Sequence, residues 1–320
     1  MSVDPDQVTF IGEDLARPEC VLATRAGALF VSDWGGGVTR IGPDGRQSRI
    51  LARNIAGLRP NGIALSPDGT FLIAHLGADD GGVFRLSRDG DAAPLLTEVE
   101  GVALPPTNFV LDDQRGRVWI TVSTRRKPRD LGYRREGGDG FIVLLDGRGA
   151  RIAADALGYT NEAAIHPSGD WLYVNETFAR RLTRFRLADD GTLNERQTVA
   201  ELGSGSFPDG LCFDAEGGAW ITSIVSNRVI RVAPDGTQAV FLEDSDPDHL
   251  AWVEAAYGDG TMGRPHLDEV KSRRLRNLSS LAFGGPDLRV GYLGCLLGER
   301  IGRLAMPVAG HPPAHWEVAA

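Results

Sequence analysis

The stretch YTNEAAIHPSGDWLYVNET, residues 159–177, contains the pattern from which the fold of this chain can be predicted. Asn161 and Glu162 stand directly before a short apolar run, a Pro-Ser-Gly turn follows, and the strand-like run WLYV comes after the turn. Asparagine is common in turns, so a single start of this kind carries little information. It becomes informative because the rest of the chain repeats it.

Five other segments also place an oxygen-bearing residue before a short apolar strand and a turn. Asn161 lies eight positions before the turn residue Gly169, and the same interval separates each of the other starts from its turn residue. The other pairs are Glu19 and Gly27, Asn61 and Gly69, Asn108 and Gly116, Asp209 and Gly217, and Ser279 and Asp287. A second strand-like run follows each turn, and most units contain further ones. The sequence therefore repeats one unit six times in a fixed register.

This repeat predicts an all-β fold, a six-bladed β-propeller with four-stranded antiparallel blades around a central channel. A blade of four strands takes roughly 40 to 50 residues, which is the spacing seen outside two insertions near 123–140 and 244–277. We expect residues 1–320 to form a single domain, with the extended VTFIG at 8–12 closing the ring by pairing into the last blade. The second insertion reads as partly helical, with a helix start at Asp-Pro-Asp, residues 246–248.

Composition limits the kinds of partner. The 320 residues are 42% hydrophobic and carry a formal net charge of −9, which argues against nucleic acid and anionic membrane surfaces. The apolar runs are strand-sized, so no transmembrane helix is expected, and the first ten residues lack the apolar core of a secretion signal. Cys20, Cys212 and Cys295 are odd in number and far apart, which predicts reduced, mostly buried thiols. We expect a cytoplasmic monomer or small homo-oligomer that acts on a small-molecule substrate.

The polar starts predict a site at one end of the channel. The first strand of each propeller blade lines the channel, so residues at matching positions form a ring around the axis. Turn formation would explain any one of them, but six at one register, one of them a glutamate, favour a functional site. Oxygen ligands without His or Cys suit Ca²⁺, Mg²⁺ or Mn²⁺, and two carboxylates balance a divalent ion. The ring residues are Glu19, Asn61, Asn108, Asn161, Asp209 and Ser279.

Three segments closely resemble blade signatures of the senescence-marker-protein/gluconolactonase/luciferin-regenerating-enzyme family of six-bladed propellers. They are HPSGDWLYVNET at 166–177, FPDGLCFDAEGGAWIT at 207–222 and SLAFGGPDLR at 280–289. The resemblance extends from about Arg17 to Arg303 and implies a hydrolase of lactones or, in some members, phosphotriesters. It also implies one divalent metal, with calcium first and Mg²⁺, Mn²⁺, Zn²⁺ or Fe²⁺ as alternatives. The implied metal ligands are Glu19, Asn161 and Asp209, and Asn108 matches a residue that touches metal or substrate.

The resemblance implies a mechanism in which the metal polarises a lactone or ester carbonyl. Asp209 is either the general base for the attacking water or the nucleophile, and Asn108 orients water or substrate. Two positions depart from the family pattern. Glu162 stands where the family often has glycine, and Pro106 stands where sugar-lactonase members carry an arginine, which argues against a sugar-lactone substrate.

Six further assignments concern the substrate pocket. Asn61 and Ser279 belong to the ring, and Trp34 and His75 fall where second strands return to the same end of the channel; His75 has a structural role as its alternative. Arg125 and Arg126 lie in the basic insertion, which is either a solvated loop or a flap that recognises an anionic substrate.

Two rival functions remain open at this level. The same architecture serves metal-free propellers similar to strictosidine synthase, and it serves non-catalytic binding modules. The combination of Glu19, Asn161 and Asp209 favours the hydrolase, because a scaffold needs no carboxylates in its channel.

Overall fold

The computed structural model describes residues 2–319, within which 26 strands, two α-helices and two short 3-10 helices form a nearly all-β molecule. The first strand, β1 (Thr9–Ile11), belongs to the last blade. Blade 1 contains β2 (Val21–Ala23), β3 (Leu29–Asp33), β4 (Gly37–Ile41) and β5 (Gln47–Leu51). Blade 2 contains β6 (Pro60–Leu65), β7 (Phe71–Leu76), β8 (Gly81–Leu86) and β9 (Ala92–Leu96). A two-stranded hairpin follows, formed by β10 (Glu98–Val99) and β11 (Val102–Ala103).

The remaining blades continue in chain order. Blade 3 contains β12 (Thr107–Asp112), β13 (Val118–Val122), β14 (Gly140–Asp146) and β15 (Gly149–Leu157). Blade 4 contains β16 (Thr160–Ile165), β17 (Trp171–Glu176), β18 (Arg181–Leu187) and β19 (Leu193–Glu201). Blade 5 contains β20 (Phe207–Phe213), β21 (Ala219–Ile224), β22 (Arg228–Val232) and β23 (Gln238–Leu242). Blade 6 contains β24 (Leu278–Gly284), β25 (Val290–Cys295), β26 (Ile301–Ala305) and, at its outer edge, β1.

These six four-stranded antiparallel sheets confirm the predicted propeller. Glycines hold the turns between the first two strands because the backbone there is left-handed, with φ of +82° at Gly69 and +83° at Gly217. The ring also closes as predicted, since Thr9, Phe10 and Ile11 pair with Arg303, Gly302 and Ile301.

Apolar side chains fill the spaces between neighbouring blades. Phe30 of blade 1 packs edge-to-face on Phe71 of blade 2, with ring centroids 5.0 Å apart. Trp220 of blade 5 packs in the same way on Phe283 of blade 6, at 5.8 Å. Such pairs stabilise contacts between blades. No helix within residues 2–319 is long and apolar enough to cross a membrane.

Both insertions rise from the channel end that carries the ring residues, and they pack on each other there. We call residues 123–140 and 244–277 together the cap. It contains a 3-10 helix (Arg129–Gly132) and the helices α1 (Pro247–Gly258) and α2 (Pro265–Asp268). The predicted start of α1 is confirmed, because Asp246 caps the helix by accepting a hydrogen bond from His249 N at 2.8 Å. Arg134 Nη1 donates to Met262 O at 2.7 Å and so joins the two insertions.

The chain after β26 crosses the opposite end of the propeller. His311 N donates to Phe213 O of blade 5, and Arg25 N of blade 1 donates to Trp316 O, both at 2.9 Å. A largely apolar cavity of about 480 Å³ lies inside the channel between this segment and the ring residues. The three cysteines are free; Cys20 and Cys295 are buried and Cys212 is half-buried.

Candidate active site in the central channel

Irregular strand pairing marks the ring positions. Five of the six innermost strands shift register where a ring residue stands. A bulge of this kind leaves one residue out of the ladder and changes the direction of its side chain. The shifts lie at Pro60/Ile63, Thr107/Phe109, Thr160/Ala163, Pro208/Leu211 and Leu278/Ser280.

The Asn161 amide is held in one orientation. Its Nδ2 donates to Thr177 Oγ1 at 3.0 Å, and that hydroxyl donates to Pro208 O at 2.8 Å. The amide oxygen Oδ1 is buried and has no hydrogen-bond partner within residues 2–319. A buried acceptor without a partner is costly, so an oxygen held in this way suits a ligand.

The backbone of Asp209 is held by hydrogen bonds, and its carboxylate lies at the channel. Asn175 Nδ2 donates to Asp209 O and to Gly210 O, each at 3.0 Å. The side chain is only 4% exposed. Burial raises the pKa of the Asp209 carboxyl well above its usual range; the Glu19 charge adds to the rise, and Arg17 opposes it.

Glu19 precedes the innermost strand of blade 1 and is anchored by blade 6. Its backbone oxygen accepts hydrogen bonds from Ser279 Oγ at 2.8 Å and from Ser280 Oγ at 2.6 Å. Its buried Oε2 receives no hydrogen bond from the described residues, although Arg17 Nη2 lies 3.1 Å away. Burial raises the pKa of the Glu19 carboxyl, and the Arg17 charge opposes the rise.

Arg17 is a site residue that the repeat pattern did not reveal. Its backbone is left-handed, with φ of +50°, which is uncommon outside glycine. The guanidinium lies 4.1 Å from the Trp34 ring centroid, and Nη1 donates to Asn61 Oδ1 at 3.3 Å. Asn61 Nδ2 in turn donates to Asn108 O at 2.9 Å. These contacts place Glu19, Asn61 and Trp34 around one guanidinium group, and Asn61 links this group to the backbone of Asn108.

Glu162 occupies a position at which two other blades need glycine. A Cβ at Gly62 would lie 2.8 Å from Phe109 Cα, and one at Gly210 would lie 2.6 Å from Ser279 O, so these strands have no room for a side chain. In blade 4 the Glu162 side chain instead reaches the next blade and accepts from Leu211 N at 2.9 Å. The departure from the family pattern is thus a contact between blades.

The other candidate substrate residues are engaged elsewhere. His75 accepts from Arg59 N at 3.0 Å through Nδ1, and its Nε2 lies 3.4 Å from Asp80 Oδ2, which supports the structural alternative. Ser279 Oγ is used on the backbone of Glu19.

The two arginines of the basic insertion lie in ion pairs. Arg125 pairs with Asp155 on the outermost strand of blade 3 at 2.7 Å, and Arg126 lies 3.8 Å from Asp139. Both side chains are exposed. These pairs do not favour the substrate contact expected for Arg125 and Arg126.

The donor set fits a hard divalent cation. Glu19, Asn161 and Asp209 are oxygen donors at one register. Among the described residues, Glu19 Oε2 and Asn161 Oδ1 accept no hydrogen bond, although the Arg17 guanidinium lies 3.1 Å from Glu19 Oε2. Within residues 2–319, no group of three or more His, Cys, Asp or Glu side chains is placed to hold a metal ion. The candidate centre has only two carboxylates and depends on asparagine amides for its remaining oxygens.

A six-bladed propeller with oxygen donors around one end of its channel defines the class of protein. Residues 17–243 match the family model described as the SMP-30/Gluconolactonase/LRE-like region, and the chain belongs to that family. It is 31% identical over 232 residues to a 6-deoxy-6-sulfogluconolactonase from Pseudomonas putida, which covers 72% of this chain and 66% of the relative.

Solved structures share the fold. A gluconolactonase from Xanthomonas campestris aligns with a TM-score of 0.68 at 21% identity, over 94% of this chain and 89% of that one. The calcium-binding protein regucalcin from Agrobacterium tumefaciens aligns with a TM-score of 0.68 at 18% identity, over 97% and 98%. Because the match covers slightly less than two thirds of the Pseudomonas protein, the comparisons establish the family and leave the activity of the whole chain to be proposed.

Proposed function

We propose that this protein is a divalent-metal-dependent hydrolase that opens lactones or related esters. Family membership supports the reaction class, since relatives are named as lactonases. The structural neighbour named as a calcium-binding protein supports calcium as the preferred ion. The observation that carries the proposal concerns two buried oxygens beside the buried carboxyl of Asp209. Within residues 2–319, Asn161 Oδ1 has no hydrogen-bond partner, and Glu19 Oε2 accepts no hydrogen bond and has only the Arg17 guanidinium beside it, at 3.1 Å.

The residues divide the chemistry between them. Glu19 and Asn161 would hold the ion, which when bound polarises the substrate carbonyl and stabilises negative charge on its oxygen. Asp209 either takes a proton from the attacking water or attacks the carbonyl carbon itself. Asn108, 4% exposed on the same end of the channel, orients water or substrate. The cap excludes bulk water from these groups.

The proposal is tested by metal-dependent stability together with turnover. An ion that binds only the folded state raises stability by about 2.7 kcal/mol at 100 times its dissociation constant. We expect EDTA to lower the melting temperature and calcium or manganese to restore it. Asn161→Ala should reduce this shift, and Asn194→Ala, a change at an exposed asparagine of blade 4, should retain it.

The activity arm uses a panel of lactones, esters and organophosphates with several divalent ions. We expect metal-dependent hydrolysis of at least one lactone. A melting curve insensitive to EDTA, with no metal in the purified protein, would favour a metal-free propeller. Metal binding without hydrolysis of any substrate would favour a non-catalytic binding module.

A further inference from the structure

The apolar cavity in the channel is separate from the candidate active site. Its volume of about 480 Å³ falls within the range of about 300 to 1,000 Å³ that is common for small-molecule pockets. None of the six ring residues and no residue of the cap lines it. The cavity therefore lies behind the ring, on the side that faces the C-terminal segment.

The innermost strands keep apolar side chains accessible on the face that lines this cavity. Along β12, Phe109 and Leu111 line the cavity and are half-buried, whereas Val110 between them is fully buried in the core. One half-buried lining residue also comes from each of three other innermost strands, namely Ala164, Cys212 and Ala282. A close-packed core leaves little such surface, and an apolar surface held open inside a protein suits an apolar ligand.

The charged side chains of the cavity wall are either engaged or exposed to solvent. The engaged acids are Asp112 with Ser66 Oγ at 2.6 Å, Asp113 with Arg117 Nε at 2.5 Å and Glu162 with Leu211 N at 2.9 Å. Arg115 lines the cavity and is exposed. A charged ligand would lose its hydration without gaining a buried counter-ion, so the wall favours an uncharged one.

One buried polar atom of the wall can take a hydrogen bond from a ligand. His315 of the C-terminal segment lines the cavity, and its Nε2 is buried without a hydrogen-bond partner within residues 2–319. Burial lowers the pKa of His315 to about 4, against the opposing effect of the Ala23 backbone, so the imidazole is neutral at pH 7. Nε2 of a neutral imidazole donates or accepts according to the tautomer, and a hydroxyl group can do either.

The C-terminal segment offers an entrance to the cavity. It is anchored on one side by His311 N on Phe213 O and on the other by the buried Trp316, whose carbonyl oxygen accepts from Arg25 N. Between these anchors, residues 312–315 make no backbone hydrogen bond to a blade in the part of the chain that the structure describes. Two of these four residues are prolines, which have no N–H to donate. A short movement of this stretch would admit a small molecule.

We propose that this cavity binds a small, uncharged, aromatic molecule that carries one hydroxyl group, a phenol or a naphthol in chemical class. The ring packs against the apolar face formed by the innermost strands, and the hydroxyl bonds to His315 Nε2. The site goes beyond the proposed hydrolase, because binding there requires neither the metal ion nor turnover.

The binding test compares 2-naphthol with naphthalene, which has the same rings and no hydroxyl. We expect 2-naphthol to bind wild type with a dissociation constant below about 100 µM, measured by its fluorescence, and to raise the melting temperature. Naphthalene should bind about three- to tenfold more weakly, the effect of one missing hydrogen bond. His315→Phe, which keeps a ring and removes the nitrogen, should abolish the difference between the two probes.

Two substitutions that fill the cavity locate the bound probe. Ala164→Leu on blade 4 and Ala282→Leu on blade 6 each add three carbon atoms to the wall. We expect either change to weaken binding of both probes at least about tenfold, because the added atoms occupy the space of the rings. Ala239→Leu, the same change at an exposed residue of β23, should leave both affinities unaltered. Circular dichroism checks that each variant is folded.

The outcomes distinguish this cavity from the candidate active site. Binding that persists in EDTA and in Asn161→Ala, and that is lost in the two cavity-filling variants, would support the proposal whether or not the protein hydrolyses lactones. Binding lost in Asn161→Ala and retained in the two cavity-filling variants would overturn it, because the probe would then lie among the ring residues. Absence of 2-naphthol binding at about 1 mM, or equal affinity of wild type for both probes, would also overturn it.

Discussion

Asp209 is the single residue at which the proposed chemistry and the proposed metal site meet. Asparagine there keeps the size and one carbonyl oxygen but cannot accept a proton or attack a carbonyl. We expect Asp209→Asn to lower kcat at least about 10²-fold at saturating metal, the lower range for loss of a general base. Metal content should fall only partly, since Glu19 and Asn161 remain. Turnover and bound metal are measured on the same sample.

Glu162→Gln is the matched control for this substitution. It removes a carboxyl of similar burial and keeps an oxygen that can accept from Leu211 N. We expect kcat to change little. Near wild-type turnover in Asp209→Asn would exclude Asp209 from the chemistry, and recovery of activity in excess metal would make it a ligand alone.

The register of the repeat could place Glu19, Asn161 and Asp209 at one end of the channel because strand and turn lengths are local properties. It could not find Arg17, which precedes the ring position and enters the site through an unusual backbone conformation. Local charge density drew attention to Arg125, whose partner Asp155 is 30 residues away in sequence. Which arginines of a basic loop form ion pairs depends on tertiary contacts that sequence order does not show.

At the scale of the element, one buried carboxylate links three strands of blade 4. Glu176 at the end of β17 accepts from Arg181 Nε at 2.7 Å and from Arg196 Nη2 at 3.2 Å, on the next two strands. Its carboxylate is 0% exposed. Glu176→Gln would leave both arginines without a charged partner. We expect a loss of about 3 kcal/mol in the free energy of unfolding at pH 7, measured by urea denaturation.

The pH dependence of this loss follows from the pKa of Glu176. Burial raises that pKa, but Arg181 and the other donors lower it further, so the folded value lies below the unfolded one. The stabilisation is therefore present above the unfolded pKa, about 4.3, and decreases as pH falls through the folded pKa. The difference between wild type and Glu176→Gln should shrink below that pH. Glu195→Gln, at an exposed acid of β19, should show no such trend. A difference constant down to pH 3 would contradict the assignment.

Strands, turns and the start of α1 were predictable because each depends on a few adjacent residues. The docking of the two insertions was not, since it depends on contacts such as Arg134 with Met262, 128 residues apart. For the same reason, the sequence showed Glu162 to be unusual without showing that its partner is Leu211 of the next blade.

At the scale of the whole molecule, β1 closes the ring by pairing with β26 of the last blade. Removing residues 2–11 would delete β1 and the fully buried Val8, and would expose the edge of β26. We expect a loss of at least about 3 kcal/mol in the free energy of unfolding, on the scale of burying one to two large apolar side chains. We also expect self-association, because an unpaired edge strand can pair with another chain.

Denaturation and light scattering test this expectation. Removal of residues 2–6, which keeps β1 and Val8, serves as the control and should cause a smaller loss without self-association. Equal stability and a monomeric state after removal of residues 2–11 would show that the ring closes without β1.

The pairing of β1 with β26 also determines when the ring can close during synthesis. Thr9 and Arg303, which face each other across it, are 294 residues apart in the chain. At a ribosomal rate of roughly 5 to 20 residues per second, β1 waits about 15 to 60 s for its partner to be made. Five blades can form during that interval, but the ring stays open until the sixth has emerged. A β1 of three residues offers a short edge to wrong partners, which lowers the risk of mispairing while the nascent chain waits.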